Sequence, residues 1–303
     1  VYQKGARPYS KIFHFVRQYT GLSGALVIED ITGAEDAKVR RMSFQEEHWQ
    51  DSLLTEVEKE FWRKQETELD YPVTYRYVTG YETLFDACYT IGIVGLFVIA
   101  SCMSGIFPQE RVRKTDQLLL SSKYGRKHLF RMKFMAGIFV SLLMITILVI
   151  AAFLCSFFIY GLRGHDAAFQ LYYVGSSLNI SMGEAVLITY MIVIVAVVFM
   201  GALVMLLSEF LDSSVGTLAV ATALIVAPMV ISVPEEYRFF SQLWIATPGD
   251  IVAIWNIFDV RTIVLFGKVF MIWQVVPIFY LIISIFLAIL GENHFVRRQI
   301  NGR

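Results

Sequence analysis

Five uninterrupted runs contain no Asp, Glu, Lys, Arg or His: residues 87–109 (23 long), 134–162 (29), 185–208 (24), 213–234 (22) and 269–291 (23). The hydrocarbon core of a bilayer, about 30 Å thick, is crossed by about 20 mostly apolar helical residues. Lipid offers no partner for backbone polar groups, so runs of this length read as transmembrane helices. A soluble fold is excluded on the same grounds. Of the 303 residues 56% are hydrophobic and 17% charged, against roughly 45–50% and 25% in ordinary globular domains. The expected fold class is an all-α membrane protein, a polytopic helical bundle with five visible spans. The 29-residue run is longer than one crossing needs; Tyr160 and Gly161 suit an interfacial end, and tilt absorbs the excess.

Basic residues in short loops set the orientation, because Lys and Arg are retained on the cytoplasmic side. Residues 110–133 carry eight (Arg111, Arg113, Lys114, Lys123, Arg126, Lys127, Arg131, Lys133) against two acids, which places that segment inside. Alternation then puts 209–212 and the tail 292–303 inside. The loops 163–184 and 235–268 fall outside, with four basic residues over 56 positions against eleven over 40 inside. Residues 1–86 form an outer head with eleven basic and fifteen acidic residues. A head on that side requires an earlier crossing, so a sixth helix is expected upstream of Val1, with a cleaved signal as the alternative.

The head reads as mainly helical. A short helix is expected after Thr32 and Gly33. Ser43 with Glu46 reads as a capping box opening one long amphipathic helix that ends before Pro72. Leu53, Leu54, Val57, Phe61 and Trp62 would form its apolar side, and Glu56, Glu58, Glu60 and Glu66 a solvated acidic face. Tyr71, Pro72, Val73, Thr74 and Tyr75 read as an extended approach to the membrane. The outer segment 235–268 carries Phe239, Phe240, Trp244 and Trp255, but its charge-free pieces are too short to span, and Pro248 and Gly249 interrupt it. It reads as a re-entrant or interfacial helical pair. Its four aromatics either coat an amphipathic loop or shape a substrate path.

Several chemistries have no counterpart in the residues. The absence of ionisable side chains from the five runs argues against a proton relay or an ion-driven porter. No phosphate-binding Gly-x-x-x-x-Gly-Lys-[Ser/Thr] loop occurs, so any ATP that drives the chain is bound by another subunit. Cys88, Cys102 and Cys155 read as small apolar residues. The scattered His14, His48, His128, His165 and His294 show no ligand spacing, so neither cofactor nor metal is expected. Gly21, Leu22, Ser23 and Gly24 read as a turn in the head and not as a nucleophile motif. Equal numbers of acidic and basic residues, 26 each, offer no global charge for nucleic acid. Pro228 and Pro277 lie inside expected spans, where each kinks its helix, either as a hinge or in a static bundle.

The inside loop is the most informative segment. Pro108 suits the first position of a helix and Glu110 its first turn, and Leu118, Leu119 and Leu120 supply an apolar face beside a basic one. Such a helix fits the inner membrane surface, through anionic lipid, or a groove on a partner. Glu110, then Thr115 and Asp116, then Leu119, Leu120, Ser121, Ser122, Lys123, Tyr124, Gly125 and Arg126, with Lys133 opening the next helix, are similar to the permease subunits of type-two ABC exporters in their Gram-positive bacterial form. Lys114 stands where many members carry glycine.

That resemblance implies six spans with an outer head between the first and second, in the bacterial plasma membrane. It also implies a cytoplasmic coupling helix that docks on an ATPase subunit holding ATP and Mg, and a second permease subunit, identical or not. The implied docking residues are Glu110, Arg111, Lys114, Thr115, Leu118, Leu119, Leu120, Tyr124 and Arg126. The chain itself would catalyse nothing. A hydrophobic or amphipathic cargo, such as a lipid or an antimicrobial peptide, suits the aromatic outer segment. The alternative class is a receptor or sensor whose head binds a ligand.

Overall fold

A computed structural model of the chain describes residues 34–69, 73–115, 127–234, 236–265 and 267–297. Ser23, Leu118, Leu119, Leu120, Tyr124 and Arg126 lie outside those residues. The elements run α1 (Ala34–Asp51), α2 (Glu56–Thr67), α3 (Thr79–Met103), α4 (Pro108–Val112), α5 (Lys127–Tyr160), α6 (Met182–Phe210), α7 (Ser214–Val230), α8 (Arg238–Ile245), α9 (Pro248–Ile251), α10 (Ile254–Ile257), β1 (Ile263–Leu265), β2 (Lys268–Phe270) and α11 (Ile272–Arg297). The chain divides into two compact units. One holds Val1–Leu84, Ser156–Ile188 and Phe258–Met271; the other holds Phe85–Cys155, Thr189–Ile257 and Ile272–Arg303.

In the first unit the expected single long helix is two. The break lies at residues 52–55, where Leu53 takes a left-handed φ of +51°. The Glu58 carboxylate accepts from the backbone N–H and the hydroxyl of Thr55 at 2.9 and 2.7 Å, satisfying the start of α2. Ser43 is no cap; it sits inside α1 and donates to the Val39 carbonyl. The expected acidic face is also corrected, because Glu58 and Glu66 are buried with Trp62 along one side of α2, while Leu53 and Val57 are exposed. Donors explain the reversal. Arg41 forks onto Glu66 at 2.6 Å and reaches the carbonyls of Val174 and Ser176. Glu58 accepts from the backbone and hydroxyl of Thr262 at 3.0 and 2.7 Å, so neither carboxylate is buried unpaired. Trp62 donates to the Val260 carbonyl at 2.7 Å. The antiparallel β1–β2 hairpin pairs Ile263 with Phe270. Nothing in the alternation of so short a segment pointed to it.

The second unit is a helical bundle around α6. Val193, Ala196, Val197, Met200, Val204 and Met205 of α6 are buried, and 67% of its most apolar stretch is covered by protein, against 17% of that of α5 and 22% of that of α11. Helices apolar on their uncovered faces are stable only against lipid. Small residues bring the helices close. A Cβ on Gly137 would meet the Met205 sulfur at 2.2 Å, and one on Gly201 would meet the Ser141 hydroxyl at 2.3 Å. Among the described residues four helical stretches are long and apolar enough to cross a bilayer: residues 79–112, which hold α3 and α4, then α5, α6 and α11. The fifth expected span is the 17-residue α7, about 25 Å long at 1.5 Å per residue. Pro228 and Pro277 both lie inside helices, α7 and α11. The outer aromatic segment starts as three short helices, α8, α9 and α10, and not as a pair. Pro248 opens α9, whose Gly249 lies so close to the Ile225 carbonyl that a Cβ would stand 2.1 Å from it.

Candidate functional site: the α4 elbow

Helix α3 ends at Met103, and after a turn Pro108 opens α4 with its fixed φ and no N–H to satisfy. Five residues are too few to hold a helix by their own hydrogen bonds. Side-chain ties to the bundle supply the rest. Phe107 is buried beneath α4, stacked on Phe130 at 5.7 Å and against Phe295 at 5.7 Å. Lys133 of α5 lies 5.0 Å over the Phe107 ring and forms an ion pair with Glu110.

Arg111 makes the strongest link. It donates to the Leu211 carbonyl at 3.0 Å, the Asp212 carboxylate at 2.9 Å, the Glu209 carbonyl, and the Glu209 carboxylate at 2.6 Å. The Glu209 side chain is fully buried, 0% exposed, and its second oxygen faces His294 Nδ1 of α11 at 3.1 Å. The His294 ring lies over Phe210 at 4.3 Å. One carboxylate thus joins α4, the end of α6 and the end of α11. A buried carboxylate is tolerated where charge-assisted donors such as these meet it. Arg131 adds a two-pronged bond to Glu292 at 2.7 and 3.0 Å, with Lys127 at 3.2 Å from the same carboxylate.

The expected docking residues therefore divide. Glu110 and Arg111 are turned into the bundle and occupied there, while Lys114 and Thr115 are exposed beside Gln109, Val112 and Arg113. Lys114 takes φ +56°, the left-handed conformation that glycine adopts freely. Sequence reasoning missed Glu209, Asp212 and His294 as partners. The signal was there in residues 209–212, which carry two acids and no base on a side otherwise rich in bases.

The second set of expected residues is exposed in part. Phe239 and Phe240 project from α8 at 71% and 63% exposure, opposite the buried Ser241 and Ile245. Trp255 is exposed and packs on Tyr89 at 5.5 Å, whereas Trp244 is fixed by donating to the Ile231 carbonyl at 2.6 Å. Among the described residues no group of His, Cys, Asp and Glu could hold a metal ion.

Compared with known families, residues 24–234 match the model of the ABC-2 family transporter proteins, more than half of the chain. No curated protein and no solved structure matches it.

Proposed function

Because the chain belongs to the ABC-2 family of transporter proteins and is thereby a multi-pass permease subunit of an ABC transporter, we propose that α4 is the element through which a partner ATPase drives it. The observation that carries this reading is the Arg111–Glu209–His294 chain. A push on α4 is delivered through Arg111 to the end of α6 and through Glu209 to the end of α11. Both helices then shift as rigid bodies, the kind of motion that opens a path on one side while closing it on the other. The exposed Val112, Arg113, Lys114 and Thr115 form the contact surface.

In this reading ATP and Mg bind in the partner, two permease subunits enclose the path, the α4 end is cytoplasmic and the head is outside. Transport is outward. The exposed Phe239, Phe240 and Trp255 and the uncharged spans favour a hydrophobic or amphipathic cargo such as a lipid or a membrane-active peptide. The test is the double variant Val112→Asp, Arg113→Glu, purified with its ATPase in nanodiscs. It should assemble in the membrane and lose cargo-stimulated ATP hydrolysis. Unchanged stimulation and transport in a well-assembled complex would remove coupling from α4.

A further inference from the structure

A groove of about 700 Å³ opens on the bundle between α5, α6 and α11, within the range of roughly 300–1,000 Å³ typical of ligand pockets. Phe134, Ile138, Val198, Leu281 and Ile285 line it, and among the described residues Ser284 is the one hydroxyl on its wall apart from Tyr280, whose O–H is donated to the Ala246 carbonyl. Its charge lies at one end, where Arg131 and Glu292 close it, and Lys127 stands one turn further along α5. Two cations there face one carboxylate, and both remain largely open to the surroundings, at 60% and 64% side-chain exposure, while Glu292 is at 15%.

The length of the groove decides what fits. From Phe130 to Leu142 along α5 and from Pro277 to Glu292 along α11 it runs about 18–22 Å at 1.5 Å per residue. One leaflet with its headgroup layer is about 20–22 Å, half of a 40–45 Å bilayer. A transmembrane helix of a second copy would need a seat through the full thickness, about twice as long. An apolar slot one leaflet deep, with excess positive charge at one end only, matches a lipid standing upright in the membrane. We infer that the groove holds an anionic phospholipid of the bilayer, its acyl chain against Phe134, Ile138 and Ile285 and its headgroup on Arg131 and Lys127. In the orientation proposed above this is an inner-leaflet lipid. The inference needs only that α5, α6 and α11 span a membrane, so it stands or falls independently of the coupling role of α4.

Native mass spectrometry on the full-length protein, purified in mild detergent with its accompanying subunits, tests it by titration with dioleoyl phosphatidylglycerol or dioleoyl phosphatidylcholine. The wild-type protein should retain the anionic lipid preferentially. Arg131→Gln should cut that preference about fivefold, and addition of Lys127→Gln should cut it about as much again, as expected for a cation close to an anionic headgroup. Ser284→Trp, which fills the slot, should lower retention of both lipids, whereas Ile147→Trp, on α5 outside the groove, should not. Equal retention of the two lipids by the wild type, or unchanged binding in Ser284→Trp, overturns the inference. So does a Ser284→Trp protein that keeps its lipid and dissociates into single permease chains, because a second copy would then be the occupant.

Discussion

The Arg111→Met substitution tests the elbow most sharply, because it removes the donors and leaves the acceptor where it was. Glu209 is fully buried and its main charge-assisted bond, 2.6 Å long, comes from Arg111. Removing one partner of a buried pair costs about 3–5 kcal/mol, since the remaining charge is stranded in a poorly solvated site. His294 still faces Glu209, so the lower end applies, about 3 kcal/mol, or more than a hundredfold in an opening equilibrium. Glu209→Gln is milder. A carbonyl still accepts from Arg111, and Arg111 keeps Asp212 and the carbonyls of Glu209 and Leu211, so the loss is about 1–2 kcal/mol. The double variant contains no stranded charge and should be more stable than Arg111→Met alone. Hydrogen exchange at the amides of Arg113 and Thr115, bonded to the Gln109 and Glu110 carbonyls, reads opening of α4 directly. An exchange rate in Arg111→Met within tenfold of wild type, or a double variant that opens more than Arg111→Met, would refute the reasoning.

At Gly249 a Cβ would press on the Ile225 backbone; Gly249→Ala should lower the thermal midpoint in detergent, by a destabilisation of about 1–3 kcal/mol. Lys114→Gly should keep hydrogen-exchange protection of the Thr115 amide, bonded to the Glu110 carbonyl, because glycine accepts φ +56°, whereas Lys114→Val should lower that protection by straining the turn. The Arg76 guanidinium holds the Asp166 carboxyl below its ordinary value. A depressed acid contributes stability above the unfolded value of about 3.9 and loses it as pH falls through the folded one, so Asp166→Asn should flatten the acid limb of a stability profile. In a cysteine-free background, Glu60→Cys should react with an impermeant thiol reagent in intact cells and Lys127→Cys should not; labelling of Lys127→Cys would overturn the orientation.

What was legible in the sequence followed from effects that depend on one residue at a time. Charge-free length marked the long helices, and Pro108 marked the start of α4, because a bilayer and a proline ring act locally. Pairings across the chain were not legible. Glu58 and Glu66 read as solvated until Thr262 and Arg41 stood beside them. Glu209 read as a loop acid because Arg111, 98 positions away, gave no local sign of turning towards it. The β1–β2 hairpin escaped for a related reason. Three-residue strands carry too few alternations to stand out within an aromatic stretch.

A helix of five residues has almost no independent stability, and this bears on the coupling role proposed for α4. If α4 were held only by its own turns, a partner pressing on Val112 would unwind it. Instead, its order depends on the bundle: on Phe107 between Phe130 and Phe295, on Glu110 with Lys133, and on Arg111 with Glu209. Those contacts reach α5, α6 and α11, so α4 cannot move by itself without exposing a buried carboxylate and an aromatic ring. The least costly response to a load is displacement of the helix ends together with α4. In the coupling role proposed for α4, weak intrinsic helicity combined with strong tertiary anchoring makes a short element stiff, and lengthening α4 with better helix formers would add nothing to transmission unless Arg111 kept its grip on Glu209.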